Sequence, residues 1–510
     1  MEGDSPDRAA PSLAVSASRI SKLSVIYIAG SLAPQIVSMF LLPVFTRYLP
    51  PKQMDMFYFM LRMMGPVMVF VQLGMSASVR MQFFHVDPAR RLRMLRTALL
   101  MQLGLGAVAC FLFSLAGPWV VPRLLDKLPL LPAEMSLLWL FIVWCSFFSA
   151  IQQMTTETSQ LLERADLCVG LNCFGYVAQL LIGLAVVVGL GWQGLGRCGS
   201  LVMGGAITTL VAVPLMWSFG AGRFDRGLVR RILWKGLAFV PHNLAGLAGP
   251  AVSAWLIKEY APSGTLSIFG MGVAFVGIIE LPLRSFNNAA YPTLATLMKL
   301  GTAEAKRQQS RLYTIMAIGV VTLTLGVAIF APVGIQLLTA ANYHAAEEIV
   351  IILALAWLFQ GFFLLVSFPV FFFGGGLWMA LISVTQNVVG IGLAFVLIRR
   401  FPEAAVFGAA WALVANYLVG FLVGAWAGHK LYPLPWELGR IVRAVACGAV
   451  LAAADYYWLT GQRLLWSIPL KTLLCLLLIP MLLLVRAVTM AELRRAGTLA
   501  KNKLRGVIGA

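Results

Sequence analysis

The 26 residues TLSIFGMGVAFVGIIELPLRSFNNAA, Thr265–Ala290, decide the fold class. The run is apolar and long enough for a membrane-crossing helix, which needs about 20 residues. Yet Glu280 and Arg284 stand near its middle, one helical turn apart. A charge at the bilayer centre costs roughly 2.5–3.5 kcal/mol on insertion scales, so intramembrane charges tend to face a polar cavity. The stretch therefore reads as one span of an all-α polytopic membrane protein with a polar interior.

Working outward, the whole chain repeats this character. Of its 510 residues, 60% are hydrophobic and 12% charged, about half the charged share of a soluble domain. Apolar runs recur at 21–45, 57–79, 97–117, 135–157, 166–190, 198–219, 236–257, 265–290, 312–338, 346–373, 377–398, 405–428, 441–458 and 465–485, which makes fourteen spans. The long Leu, Val, Ile and Ala runs do not alternate as barrel strands would. The longest loops expected are Pro118–Glu134 and Tyr291–Arg311, and neither amounts to a soluble domain.

The net charge of +19 could suggest nucleic acid, but its distribution points elsewhere. With the N-terminus in the cytoplasm, and the span-edge residues Lys22 and Arg443 counted with the cytoplasmic segments they border, 27 of the 39 Lys and Arg residues fall on the cytoplasmic side and 9 outside. Arg62, Arg284 and Lys471 remain inside spans. This is the positive-inside bias that orients membrane proteins. Both termini are then cytoplasmic, and the lipid bilayer rather than nucleic acid is the partner. Residues 1–20 are polar and lack the apolar core of a cleavable signal. The seven cysteines lie in or beside spans without metal-type pairing, so they read as structural thiols, and no cofactor is expected.

The segment GRFDRGLVRRILWKG, Gly222–Gly236, interleaves arginines with apolar residues at helical spacing. It is either an amphipathic helix on the anionic membrane surface or a solvated linker. On either side the sequence repeats weakly at an offset of 212, which aligns Tyr48 with Tyr260, Pro50 with Pro262, Phe57 with Phe269 and Gly65 with Gly277. Six spans separate the copies, so the repeat is parallel, with its axis along the membrane normal and a central site between halves. The expected organisation is a tail (1–20), an N-lobe (21–219), a linker (220–235), a C-lobe (236–428), two added helices (429–486) and a basic tail (487–510).

The same offset makes the span carrying Arg62 the counterpart of the one carrying Glu280 and Arg284. Arg62 aligns with Ala274, Met68 with Glu280 and Gln72 with Arg284. If these helices line the cavity, Arg62 and Arg284 are available for an anion, since a guanidinium fork donates two parallel hydrogen bonds to phosphate. Glu280, Asp55, Gln72, Asn287, Asn288 and Arg80 are further cavity or gate candidates. Structural alternatives stand beside each assignment. Glu280 and Arg284 can neutralise each other as an i,i+4 pair. Arg62 can snorkel or pair with Asp55, Arg80 can act as a topology signal, and Lys471 is expected to snorkel. Glu280 is the one acid expected deep in a span.

LLPVFTRYLPPKQMDMFYF, Leu41–Phe59, resembles the first external turn of the polysaccharide transporter family, the flippases for O-antigen and exopolysaccharide repeat units. RFDRGLVRRILWKGLAFVP, Ile335–Phe363 and Phe407–Glu437 resemble its linker and later spans, so the likeness covers about residues 20–440. MDMFYFMLR, with Asp55 and Arg62, and ELP at Glu280–Pro282 are similar to patterns of the related lipid II flippases, which carry an arginine where this chain has Gly277. The resemblance implies two six-helix lobes around a central cavity and alternating access. It further implies an undecaprenyl-pyrophosphate-linked oligosaccharide as substrate, a bacterial inner membrane, a monomer, and polymerase or export machinery as partners. A cation-coupled extruder of small amphiphiles, or a lipid II-type flippase, is the alternative. An enzyme such as a membrane glycosyltransferase is disfavoured, because the short loops gather no acidic or metal-binding groups.

Overall fold

The computed structural model describes residues 41–83, 86–128, 130–162, 164–219, 224–459, 464–490 and 492. The protein is an all-α polytopic membrane protein. Among the described residues, ten helices are long and apolar enough to cross a membrane, and they match expected spans 2–6, 9–12 and 14. Spans 7, 8 and 13 coincide with shorter or more polar helices. Most of span 1 lies outside the described residues, and residues 41–48 are helical.

The chain divides into two compact units, residues 1–48 with 63–243, and residues 49–62 with 244–510. Helix α1 (Pro51–Gln72) therefore contributes its first half to one unit and its second half to the other. The division follows from sequence. Pro66 has no N–H to give the carbonyl of Arg62 four residues earlier, which loosens the helix where the units part.

Helix α1 begins six residues before the expected span, in the second unit, and stops sooner, in the first. Leu73 and Gly74 adopt left-handed backbone (φ 49° and 67°), and α2 (Met75–Gln82) follows. Then come α3 (Pro88–Leu115), the short α4 (Gly117–Leu124), which occupies an expected loop, α5 (Pro132–Leu161), α6 (Ala165–Leu184) and α7 (Gln193–Phe219). The linker is α8 (Arg226–Leu237), started by Asp225, whose Oδ1 accepts the Gly227 N–H at 2.9 Å. Its Leu228 and Ile232 are buried with Met75, Val79, Phe83, Met94 and Leu95.

The second unit holds α9 (Val240–Tyr260) from Leu244 onward, α10 (Thr265–Val276), α11 (Glu280–Leu300), α12 (Ala303–Leu338), α13 (Val350–Pro369), α14 (Gly375–Arg400), α15 (Ala405–Leu431), α16 (Leu438–Ala454) and α17 (Leu464–Leu484). The expected Tyr291–Arg311 loop is instead helical on both sides of a break at Gly301, whose φ of 62° ends α11. Thr302 then caps α12 through its side chain. Polar residues join helices inside this unit. Asn416 Nδ2 of α15 donates to the Gln386 carbonyl of α14 at 3.1 Å, while Asn387 Nδ2 donates to the Ser383 carbonyl within α14 at 2.8 Å.

Candidate functional site

Span 8 is not one continuous helix. A 3₁₀ turn, Gly277–Ile279, separates α10 from α11, and Glu280 is the first residue of α11. Glycine is a weak helix former, and Pro282 cannot donate to the Ile278 carbonyl, so a break there is expected on local grounds. The consequence is electrostatic. Glu280 sits at a helix N-terminus, where the macrodipole favours a carboxylate.

Arg62 is the twelfth residue of α1. At 1.5 Å per residue it lies roughly 17 Å along the helix, near the middle of a core about 30 Å thick. Its side chain is partly buried, and its electrostatic neighbours are Tyr417, Tyr58 and Glu280. Two expectations are overturned here. Arg62 is too deep to be an end-of-helix residue reaching the surface, and it does not pair with Asp55.

Asp55 has other partners. Its Oδ2 accepts the Gly264 N–H at 2.5 Å and its Oδ1 accepts the Ser267 N–H at 2.7 Å. Gly264 is the N-cap of α10 and Ser267 lies in its first turn, so Asp55 caps that helix from another helix. Gly264 has φ of 98°, and an added Cβ would lie 3.2 Å from the Pro51 side chain. Nearby, Tyr343 Oη donates to the Leu49 carbonyl at 2.6 Å, and Tyr58 Oη contacts Met271 Sδ at 3.8 Å. Residues 49–62 are thus fastened to the second unit by buried polar contacts.

The remaining candidates are distributed. Gln72 is buried in the first unit, donating to Ser76 Oγ at 3.0 Å across the Leu73–Gly74 break. Arg80 is exposed in the last turn of α2. The side chains of Arg284, Asn287 and Asn288 lie outside the described residues.

One intramembrane pair escaped the sequence reading. Lys471 does not snorkel. It is buried, its Nζ lies 2.6 Å from Asp455 Oδ1, and it donates to the Ile329 carbonyl at 3.2 Å. Asp455 opens a π-helical turn, Asp455–Leu459, that extends α16, and is buried. The spacing held the signal: Asp455 is the lone acid of one apolar run and Lys471 the lone charge of the next, and opposite charges in hydrocarbon pair.

No protein-family model matches the chain. It is 25% identical over 228 residues to the "Uncharacterized membrane protein EpsK" of Bacillus subtilis (strain 168), a match that covers 40% of this chain and 45% of that protein. The chain thus spans under half of that relative's length. Its structure is similar to the lipid II flippase MurJ in an inward closed conformation, with a TM-score of 0.69 at 10% identity, over 90% of this chain and 98% of that one. An inward-facing multidrug resistance MATE family transporter gives 0.63 at 12% identity, over 81% and 97% of the two chains. A MOP superfamily transporter from Pyrococcus furiosus gives 0.57 at 14% identity, over 81% and 96%. At such identities the likeness is one of fold. This chain has the helical fold that MurJ shares with the MATE transporters of the MOP superfamily.

Proposed function

We propose that this protein is a flippase of the inner membrane, not an enzyme, with both termini in the cytoplasm. It moves an undecaprenyl-pyrophosphate-linked oligosaccharide from the cytoplasmic to the periplasmic leaflet for polysaccharide assembly. Two lobes, 21–219 and 236–428, alternate access to a shared cavity, and Arg62 and Arg284 hold the pyrophosphate. Glu280 sets the local charge, while Gln72, Asn287, Asn288 and Arg80 serve the cavity or its gates. Asp55 is the gate residue at the N-terminal end of α1. The observation that carries this reading is the position of Arg62, halfway along a membrane-spanning helix beside Tyr58, Tyr417 and Glu280 rather than paired with Asp55. A mid-membrane arginine flanked by phenols suits a phosphate with sugars attached.

The test is surface polysaccharide in a deletion strain complemented with Arg62→Ala, Arg284→Ala or both, at matched protein levels. Export is expected to fail in each. Full export in the double variant would sink the pyrophosphate role. Arg62→Lys keeps the charge without the bidentate fork and is expected to restore export only in part.

The MATE likeness favours a second reading, a cation-coupled extruder of small amphiphiles. Drug sensitivity on deletion, with normal surface glycan, would select it.

A further inference from the structure

The linker helix α8 carries an arrangement that the transport reading does not use. Its apolar stripe, Leu228, Ile232 and Gly236, is buried against the first unit, chiefly on α2 and α3. Gly236 sits backbone to backbone with the Leu73–Gly74 break, and an added Cβ would come within 2.7 Å of the Leu73 carbonyl oxygen. The helix therefore cannot roll to bury that stripe in lipid. What it presents outward is a different face. At 100° per residue, Arg226, Arg230, Trp234 and Leu237 share one arc, flanked by Arg231 and Lys235. All six are exposed, Trp234 at 78%. Phe224, just before the helix, is exposed as well.

A solvated linker has no use for an outward tryptophan set among four cations. At the ends of two membrane-entering helices, α7 and α9, the combination matches the interfacial zone. Indole rings settle at headgroup level there, and Lys and Arg attract anionic lipid. Neighbouring chemistry continues the pattern: Arg96 stacks on Trp217 at 3.8 Å, and Arg90 and Arg93 are exposed on the first turns of α3. Asp225, whose carboxylate caps the Gly227 N–H, offsets one charge only, and against Arg226, Arg230, Arg231 and Lys235 the segment stays net positive.

We infer that the outward face of α8, centred on Arg230 and Trp234, is a docking surface for the headgroups of anionic phospholipids. The four cations bind phosphate, and Trp234 with Leu237 seats the helix at the membrane boundary. The helix is thus clamped to protein on one side and to lipid on the other.

Native mass spectrometry of the full chain, released from micelles holding equal phosphatidylglycerol and phosphatidylethanolamine, tests this. The wild type is expected to retain phosphatidylglycerol preferentially. The variant R226Q/R230Q/R231Q/K235Q should lose retention at least about fivefold, the factor that one surface cation contributes, with an unchanged melting midpoint. Equal retention of phosphatidylglycerol by wild type and variant would overturn the proposal, and so would wild type holding both lipids equally. If the fourfold variant does not fold, the wild type alone decides. Its preference should weaken as salt rises, and a salt-independent preference would also overturn the docking surface.

Discussion

Asp55 and Ser267 are joined by a hydrogen bond of 2.7 Å, and the 212 residues between them are the spacing of the internal repeat. The next turn repeats the relation, since a Cβ on Gly270 would press 2.4 Å against the ring of Tyr58, again 212 residues away. The first half of α1 and the start of helix α10 therefore meet at positions that the offset pairs. The contact is symmetric in position and asymmetric in chemistry. One copy supplies a carboxylate, and the other supplies a helix N-terminus with a glycine beneath a tyrosine.

Removing that carboxylate exposes the first-turn N–H groups of α10. Asp55→Ala is expected to lower the melting midpoint of the purified protein, at a cost of about 1 kcal/mol. Asp55→Asn keeps an acceptor and should cost less. An unchanged midpoint in Asp55→Ala would mean that the cap carries no stability.

The Asp455–Lys471 pair makes a stronger demand. Lys471→Met leaves a buried carboxylate without its cation, and loss of one partner from such a pair typically costs about 3–5 kcal/mol. The double variant Asp455→Leu with Lys471→Met removes both charges and should recover most of that loss. Thermal unfolding of the three variants in detergent gives the coupling directly, and additive losses would argue against the pair.

Gly74 and Gly236 make the tightest backbone approach in the first unit. A methyl on Gly236 meets the Leu73 carbonyl oxygen at 2.7 Å, and a methyl on Gly74 falls 2.1 Å from the Gly236 carbonyl oxygen. Both neighbours are main chain and cannot rotate aside. Gly236→Ala is expected to cost roughly 1–3 kcal/mol as overpacking. Gly74→Ala should cost more, because Gly74 also has φ of 67°. Midpoints of the two variants, compared with Gly439→Ala in open space, check the ranking.

Arg440, in the first turn of α16, donates to Glu492, beyond the last span, at 2.6 Å and to Glu437 at 2.9 Å. Burial works to raise the Glu492 carboxyl, but the Thr489 N–H and Arg440 outweigh it and hold the group below the ordinary 4.5. A carboxyl depressed on folding adds stability above its unfolded value and loses it as pH falls through the folded one. The advantage of wild type over Glu492→Gln should be full near about pH 6 and fade below 4.5. An advantage that persists at lower pH would remove Glu492 from the acid response.

Much of this protein follows from local sequence. Runs of about 20 apolar residues have no other way to satisfy their backbone in lipid than as helices, so fold class and most spans were readable directly. The offset of 212 pointed to the pair of helices that carry Asp55, Arg62 and Glu280. Helix ends were less legible where apolar runs continue through them, as at Leu73–Gly74, at Gly277, and from Tyr291 to Leu300, where polar sequence stays helical. Hydropathy reports transfer to lipid, whereas these breaks depend on glycine conformation, proline bonding and capping.

The partners of charged groups lay beyond the sequence altogether. Asp55 and Arg62 are seven residues apart on one helical face, and an intrahelical pair was a fair expectation. Tertiary structure gave the carboxylate two backbone donors 209 and 212 residues away instead. Lys471 had a free route to the interface by local geometry, and packing brought it to Asp455. Sequence alone determined which segments enter the membrane, because burial of apolar surface acts residue by residue along the chain. Only the tertiary structure decided which charges meet there, because electrostatic pairing depends on distance in space.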